Sequence, residues 1–481
     1  MYDKPREECG VFGIYSSKER NIALDVYFGL FALQHRGQES CGIAVNNDGI
    51  INCYKDAGLV GDVFSTDLVN SLGEGRIALG HVRHGISELN SKLEAQPITV
   101  NHVKGSTALV TNGALTNAAE LREELELSGS IFHSFSDAEI IAQIITKERL
   151  FSDSIEEAIT KSMDKLKGSY SLIVMSATKM IAARDPIGFH PLCIGKLKDS
   201  YIFASETVAL DSVGAAFIRD IAPGEVVTVT RDGQLLSNTS RANSKKTALC
   251  SFEYLYLARP DSIVDGTSVH LARRRAGVLL AKQHPVDADI VIGVPDSGLD
   301  AALGYAEESG IPYGIGMIKS KYIGRTFIEP ALDTRITQIR IKLNAISSAV
   351  AGKRVVMVDD SIVRGPTSAR AVKIIREAGA KEIHFRSSAP PFLYPCYYGT
   401  VFDDVAKPIA AYMSIEEIAK EIGVDSLGYL DPKSVCQLAP ESPLNLCDAC
   451  FTGNYPADIK KNYKKPIYMM KLSERENYEN K

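Results

Sequence analysis

Short apolar runs alternate with amphipathic and turn-rich stretches along the whole chain. Cys9 opens Cys-Gly-Val-Phe-Gly-Ile-Tyr, a strand-like run behind eight mostly polar residues. A helical stretch then leads through Gln34-His35-Arg36-Gly37-Gln38-Glu39-Ser40 into a strand-like run from Cys41 to Val45. His81-Val82-Arg83-His84 follows another strand. Ser136-Asp137-Ala138-Glu139 has the make-up of a helix start, a capping side chain with acids in the first turn. From about Phe151 to Val229 a helical stretch gives way to alternating strands and turns. Arg231 to Lys246 is polar and rich in turn pairs, which predicts a domain boundary there. Beyond it, Ile290-Val-Ile-Gly-Val and Val355-Val-Met-Val are apolar throughout, the pattern of strands buried on both faces. The first runs into a tight loop, Pro-Asp296-Ser297-Gly298, before a helix. The second runs into Asp359-Asp360 and a short loop, with a helical pattern predicted from about Ala369 to Ala378 and a stop at Gly379.

A chain of 481 residues is too long for one core, so two large domains are expected. Charged residues make up 23% and the formal net charge is −5, which offers no electrostatic case for nucleic acid. No apolar run reaches the roughly 18 residues that suggest a membrane span. The charged start, Met-Tyr-Asp-Lys-Pro-Arg-Glu-Glu, lacks the apolar centre of a signal peptide, so a cytoplasmic protein with no membrane partner is expected. In that compartment nine cysteines are free, catalytic or metal-bound sooner than disulfide-paired.

The stretch from Val355 to Ala369 carries the most chemistry. A loop that opens a helix presents free N–H groups and the positive end of the helix dipole to an anion. Gly365 permits close backbone approach, Ser361, Thr367 and Ser368 add hydroxyls, and Arg364 adds charge. Asp359 and Asp360 would repel a phosphate, so they suit ribose hydroxyls or a hydrated Mg²⁺ beside it. The whole of Asp-Asp-Ser-Ile-Val-Arg-Gly-Pro-Thr-Ser resembles the phosphoribosyl pyrophosphate (PRPP) signature of type I phosphoribosyltransferases. That resemblance implies a parallel-sheet domain, with the acids on the ribose and the loop on the 5′-phosphate. It also implies Mg²⁺ ligands at Ser297, Asp359 and Asp360. Lys319 to Pro330, with Arg325, resembles the loop that closes over PRPP in that family. Pro366 departs from the pattern by removing a hydroxyl and an N–H from the phosphate loop.

Read alone, Cys9 is a cysteine at the head of a buried strand. In company with the Gln34–Ser40 turn, His81–His84, the Asn112-Gly113 pair and Ser136–Glu139, it makes the first half resemble the class II glutamine amidotransferases. These are N-terminal-nucleophile hydrolases with a four-layer αββα sandwich. The resemblance implies that residues 1–8 are a propeptide and that Cys9 becomes the mature N-terminus. A freed α-amine, with a pKa near ~8, can take the thiol proton without a separate histidine. Cys9 would attack the glutamine amide, Asn112 and Gly113 would hold the oxyanion, Arg83 the α-carboxylate and Asp137 the α-ammonium. His84, Gly85, Ile86, Thr111 and Ala114 differ from the family's usual neighbours of these residues.

Cys447-Asp-Ala-Cys450 by itself is compatible with redox chemistry, zinc or no function. With the cysteine contexts at Cys250 and Cys396, it resembles the iron–sulfur-containing branch of the amidophosphoribosyltransferases, which implies a structural [4Fe–4S] cluster on Cys250, Cys396, Cys447 and Cys450. Both motif sets, in this order, cover nearly the whole chain. The resemblance divides it into residues 1–8, a glutaminase domain 9–240, a phosphoribosyltransferase domain 247–455 and a tail 456–481. It implies transfer of the glutamine amide nitrogen to C1 of PRPP, in a homotetramer inhibited by purine nucleotides. The altered neighbours leave two alternatives open: a paralogue that uses ammonia with a weak glutaminase, or a regulatory protein that binds PRPP or nucleotides.

Overall fold

The computed structural model describes residues 9–84, 91–320, 343–399 and 408–459. The expected propeptide, Arg325 and most of its loop, and the tail from residue 460 lie outside the described residues.

Strand Gly10–Arg20 shows why the first half folds in layers. Val11 and Tyr15 join one apolar cluster, and Phe12 and Ile14 join another. Successive side chains point to opposite faces, so a stretch as apolar as Gly10 to Tyr15 must be covered on both. One face meets a second sheet, and the other meets helix Ala23–Ala32. The strand is central in a seven-stranded antiparallel sheet, between Ser200–Ala204 and Gly75–Arg83. The facing sheet has six strands, with Gly105–Asn112 next to Ser171–Met175 and Ile98–His102. Helices Ala118–Leu127, Asp137–Leu150 and Ile155–Ser162 pack on its outer side. This is the expected four-layer αββα sandwich.

In the second half four parallel strands run in the order Ile290–Gly293, Arg354–Asp359, Glu382–Ser387, Ser426–Tyr429. Helices Val269–Gln283 and Leu299–Ser309 cover one face of the sheet, and Pro366–Glu377 and Ile415–Ile422 cover the other. The first pair crosses so closely that a Cβ on Gly277 would sit 1.8 Å from the Ala301 carbonyl oxygen. One boundary differs from the sequence expectation. The helix after the acidic pair starts at Pro366, three residues earlier than the apolar periodicity indicates. Gly365, at φ +97°, turns the chain, and proline is suited to the first helical position because the N–H it lacks would have no helical acceptor.

A buried ionic clamp joins the two halves. Arg36, fully buried, donates from Nε to Glu206 of the first half and from Nη1 and Nη2 to Glu253 of the second, the Nη1 bond measuring 3.2 Å. Burial pushes both carboxyls up, but the Arg36 charge, joined by His35 and Ser262 at Glu206 and by His190 at Glu253, holds both below their ordinary range. A second bridge pairs Arg184 with Asp265 through two 2.8 Å bonds. Removing one partner of such a network leaves buried charge uncompensated. Arg36→Ala is expected to cost about 3–5 kcal/mol in chemical denaturation, whereas Arg241→Ala, which removes an exposed ion pair with Asp164, costs about 1 kcal/mol or less.

Candidate active sites

The strand register brings the first group of residues to one end of the sandwich. Gly10 pairs with Val82, so Cys9, one step before Gly10, lies beside Arg83, and Arg83 itself pairs with Ser40. Ser205 fixes the head of the Cys9 strand: its hydroxyl accepts from Val11 N at 3.0 Å, and its N–H donates to the Val11 carbonyl at 3.1 Å. Gly37 lies directly beneath Arg83, where a Cβ would meet the Arg83 nitrogen at 2.5 Å.

Asn112 and Gly113 end a strand of the opposite sheet. Two buried side chains hold the preceding residue by its backbone. Gln96 accepts from Thr111 N at 2.7 Å and donates to Thr111 O at 3.3 Å. His81 Nε2 donates to the same carbonyl at 3.1 Å. Burial, aided by the Arg83 charge, lowers the His81 pKa to about 3, so its ring is a neutral donor. Thr111 thus serves through its backbone, which makes its side-chain identity secondary. Gly113 stands at φ +131°, and a Cβ there would sit 2.4 Å from the Ser169 carbonyl. Both polar atoms of the Asn112 amide are buried with no hydrogen-bond partner among the described residues. An unspent buried amide costs free energy unless a ligand completes it.

Asp137 is the first residue of helix Asp137–Leu150, capped by Ser136. Its Oδ2 accepts from Leu115 N at 2.8 Å. Burial raises its pKa to about 6, with the Leu115 bond and Arg83 opposing and Glu94 adding to the rise. Arg83 forms an ion pair with Glu94. Cys9, Arg83, Asn112, Gly113 and Asp137 therefore lie in one region at the end of the sandwich, and Glu94, Gln96 and Ser169, which no motif announces, lie with them.

The second group lies where the first two strands of the parallel sheet end, the crevice in which open α/β sheets bind ligands. Asp359 and Asp360 are fully buried, and Asp360 N donates to Asp359 Oδ1 at 2.9 Å. Asp360 accepts from Ser297 and Ser361 hydroxyls, both at 2.7 Å. It is not a helix cap, a role that falls to Gly365. Gly298 approaches this strand end so closely that a Cβ would meet Val358 O at 2.3 Å. Lys319 pairs with Asp296 at 2.7 Å on the rim. Arg364, Gly365, Thr367 and Ser368 form the loop and first turn that face this crevice end of the sheet.

A third assembly gathers the cysteines. Cys250 and Cys447 are paired neighbours in a short parallel ladder. Leu393 N and Tyr394 N donate to the Cys450 carbonyl at 3.0 and 3.1 Å, which brings the Cys396 segment alongside. The four cysteines line one small apolar cavity, with Phe252 and Phe392 among its walls. Burial and the neighbouring Cys396 and Cys447 push the Cys450 thiol well up. Among the described residues no three His, Cys, Asp or Glu side chains form a site for a single metal ion, and no helix is long and apolar enough to cross a membrane.

With this geometry in hand, comparison with known proteins is direct. Residues 81–212 match the model of a glutamine amidotransferase domain. The chain is 46% identical over 465 residues to amidophosphoribosyltransferase of Methanocaldococcus jannaschii, covering 94% of this chain and 98% of that one. It is 43% identical over 458 residues to amidophosphoribosyltransferase of Bacillus subtilis, covering 94% and 95%. Among solved structures it is similar to glutamine PRPP amidotransferase of B. subtilis in complex with ADP and GMP, with a TM-score of 0.87, 43% identity and coverage of 94% and 98%. A structure described as the allosteric regulatory enzyme of purine biosynthesis gives a TM-score of 0.88 at 42% identity, with coverage of 94% and 97%.

Proposed function

The chain belongs to the amidophosphoribosyltransferase family, enzymes of the first step of purine biosynthesis, and we propose the following division of labour among its residues. The reaction transfers the amide nitrogen of glutamine to C1 of PRPP and yields 5-phosphoribosylamine, pyrophosphate and glutamate. The observation that carries the assignment of the first site is the buried, unspent Asn112 amide beside Gly113, at the same end of the sandwich as Cys9.

Removal of residues 1–8 frees the Cys9 α-amine, which takes the thiol proton. The thiolate attacks the glutamine side-chain amide, and Asn112 Nδ2 and Gly113 N–H receive the oxyanion. Collapse of that intermediate expels ammonia and leaves a thioester, which water hydrolyses to glutamate. Arg83 takes the α-carboxylate and Asp137 the α-ammonium. In the second site the Arg364–Ser368 loop, with Ser361, binds the 5′-phosphate, and Asp359 and Asp360 bind the ribose hydroxyls. Arg325, outside the described residues, is assigned to the closing loop. Ammonia then attacks C1 and pyrophosphate leaves.

Ser297 and the two acids suit Mg²⁺, since Ser297 and Asp360 already place two oxygens together and Mg²⁺ takes few protein ligands. Bound there, Mg²⁺ would neutralise the leaving pyrophosphate. The four cysteines around one apolar cavity suit a [4Fe–4S] cluster, a structural brace joining distant segments of the chain. A cytoplasmic homotetramer inhibited by purine nucleotides completes the proposal. It draws support from the ADP and GMP bound to the B. subtilis relative and from the exposed apolar stripe Leu24, Phe28 and Phe31 on one helix.

The deciding experiment measures glutamate and pyrophosphate release by anaerobically purified protein supplied with glutamine, PRPP and Mg²⁺. Coupled release of both is expected. Pyrophosphate with ammonium but not with glutamine would instead identify an ammonia-dependent paralogue. Iron and acid-labile sulfide in the same sample are expected at about four each per chain, falling sharply in Cys447→Ser, while a single metal without sulfide would overturn the cluster.

The raised Asp137 pKa has a kinetic signature. Only the ionised carboxylate attracts an ammonium, so binding weakens as pH falls through about 6. On this account kcat/KM for glutamine at pH 5 is about tenfold below its value at pH 7. Asp137→Asn removes that limb of the pH profile and raises KM about tenfold or more.

A further inference from the structure

Arg83 does not meet an incoming amino acid with its guanidinium open. Its Nη2 donates to Oε2 of Glu94, the last residue of the short helical turn Ser91–Glu94. Both side chains are largely shielded, at 12% and 14% exposed. Arg83 Nη1 is buried as well and has no hydrogen-bond partner among the described residues. Asp137 senses both neighbours, Arg83 as an opposite charge and Glu94 as a like one. One guanidinium thus serves two protein carboxylates, Glu94 by direct contact and Asp137 through its charge, in the space assigned to the polar end of glutamine.

An α-amino acid brings one ammonium and one carboxylate. Asp137 alone can balance the ammonium. The carboxylate is held best through two parallel N–H···O bonds to a guanidinium. With Glu94 on Nη2, part of the guanidinium's hydrogen-bonding edge is already engaged, and the Glu94 charge repels the carboxylate that approaches. The arrangement also has a use in the empty site, because a buried guanidinium without a counter-charge is costly. We propose that Glu94 is a resident competitor for the substrate α-carboxylate: it occupies Nη2 of Arg83 in the free enzyme, and glutamine gains its full grip only by displacing it. This rests on the assignment of Arg83 and Asp137 to glutamine made above. Glu94 therefore sets affinity for glutamine and leaves the chemistry at Asn112 and Gly113 untouched.

Glu94→Gln removes the charge and keeps the size. Two quantities are compared in wild type and E94Q: the KM for glutamine in glutamate release, and the inhibition constant of 4-aminobutanamide, which keeps the amine and terminal amide but lacks the α-carboxylate. The glutamine KM is expected to fall about tenfold, the yield of one partly buried ion pair, with kcat unchanged. The inhibition constant of 4-aminobutanamide is expected to stay the same. An unchanged or raised glutamine KM overturns the proposal and makes Glu94 a partner of Asp137 or a mere brace for Arg83. Equal gains for both ligands also overturn it, since the effect would not run through the α-carboxylate. Glu94→Ala is the second variant should E94Q fail to fold, and pyrophosphate release with ammonium reports an intact second site. Arg83→Lys tests the premise separately: an unchanged glutamine KM in that variant refutes the glutamine assignment whatever Glu94 does.

Discussion

A guanidinium without access to water links the two halves of this protein. Arg36 is tolerable in the interior only because Glu206 and Glu253, one from each half, both turn to it. The clamp also reaches the first site from two sides. Arg36 sits in the turn whose Gly37 supports the Arg83 backbone, and Gln34 of that turn is braced by Val60 N at 2.7 Å. Glu206 follows Ser205, which fixes the strand headed by Cys9. Glu206 also accepts from Arg259 N at 2.9 Å and the Ser262 hydroxyl at 2.6 Å in the second half. The placement of Cys9 and Arg83 is therefore tied to the docking of the domains.

A further crossing runs through the Tyr398 carbonyl. It accepts from His190 Nε2 at 2.8 Å and from the Ser169 hydroxyl, and the Tyr398 ring stacks on Phe189 with centroids 4.1 Å apart. Ser169 also holds Ala114 N at 2.9 Å, directly behind the Asn112-Gly113 corner. Cys396 lies two residues before Tyr398, and Tyr398 N donates to its sulfur at 3.4 Å. The cysteine cavity and the Asn112-Gly113 corner accordingly share a wall. A group bound by the thiols would stiffen the surface against which that corner is built.

What could be read from the chain in advance follows the range of the interactions involved. The strand at Gly10 was legible as a strand-like apolar run, and the layers around it through the family resemblance; that Val11 and Tyr15 face one cluster while Phe12 and Ile14 face another emerged with the packed sheets. The acidic pair and its loop were legible because strand, acids, glycine and helix are contiguous. The helix start was misplaced since apolar periodicity begins only at Ala369, whereas the turn is made by Gly365 and Pro366. Gln96 and His81 escaped notice for a different reason. Each acts on the backbone of Thr111, and nothing in a lone glutamine or histidine announces a partner on the opposite sheet. Glu94 was equally silent, as one acid in a short polar helix.

The sequence, through its motifs and the resemblance they carry, indicated the two architectures, their order, and the residues proposed to attack, hold an oxyanion, bind phosphate and ligate metal. Those features reside in local spacing and in the period of apolar positions, which act over a few residues. Only the tertiary structure decided that Arg83 is paired with Glu94, that burial pushes the Asp137 carboxyl up, and that cysteines from Cys250 to Cys450 line one cavity. Charge balance and burial depend on which side chains from distant segments share one low-dielectric space, and that is settled only when the sheets and domains pack.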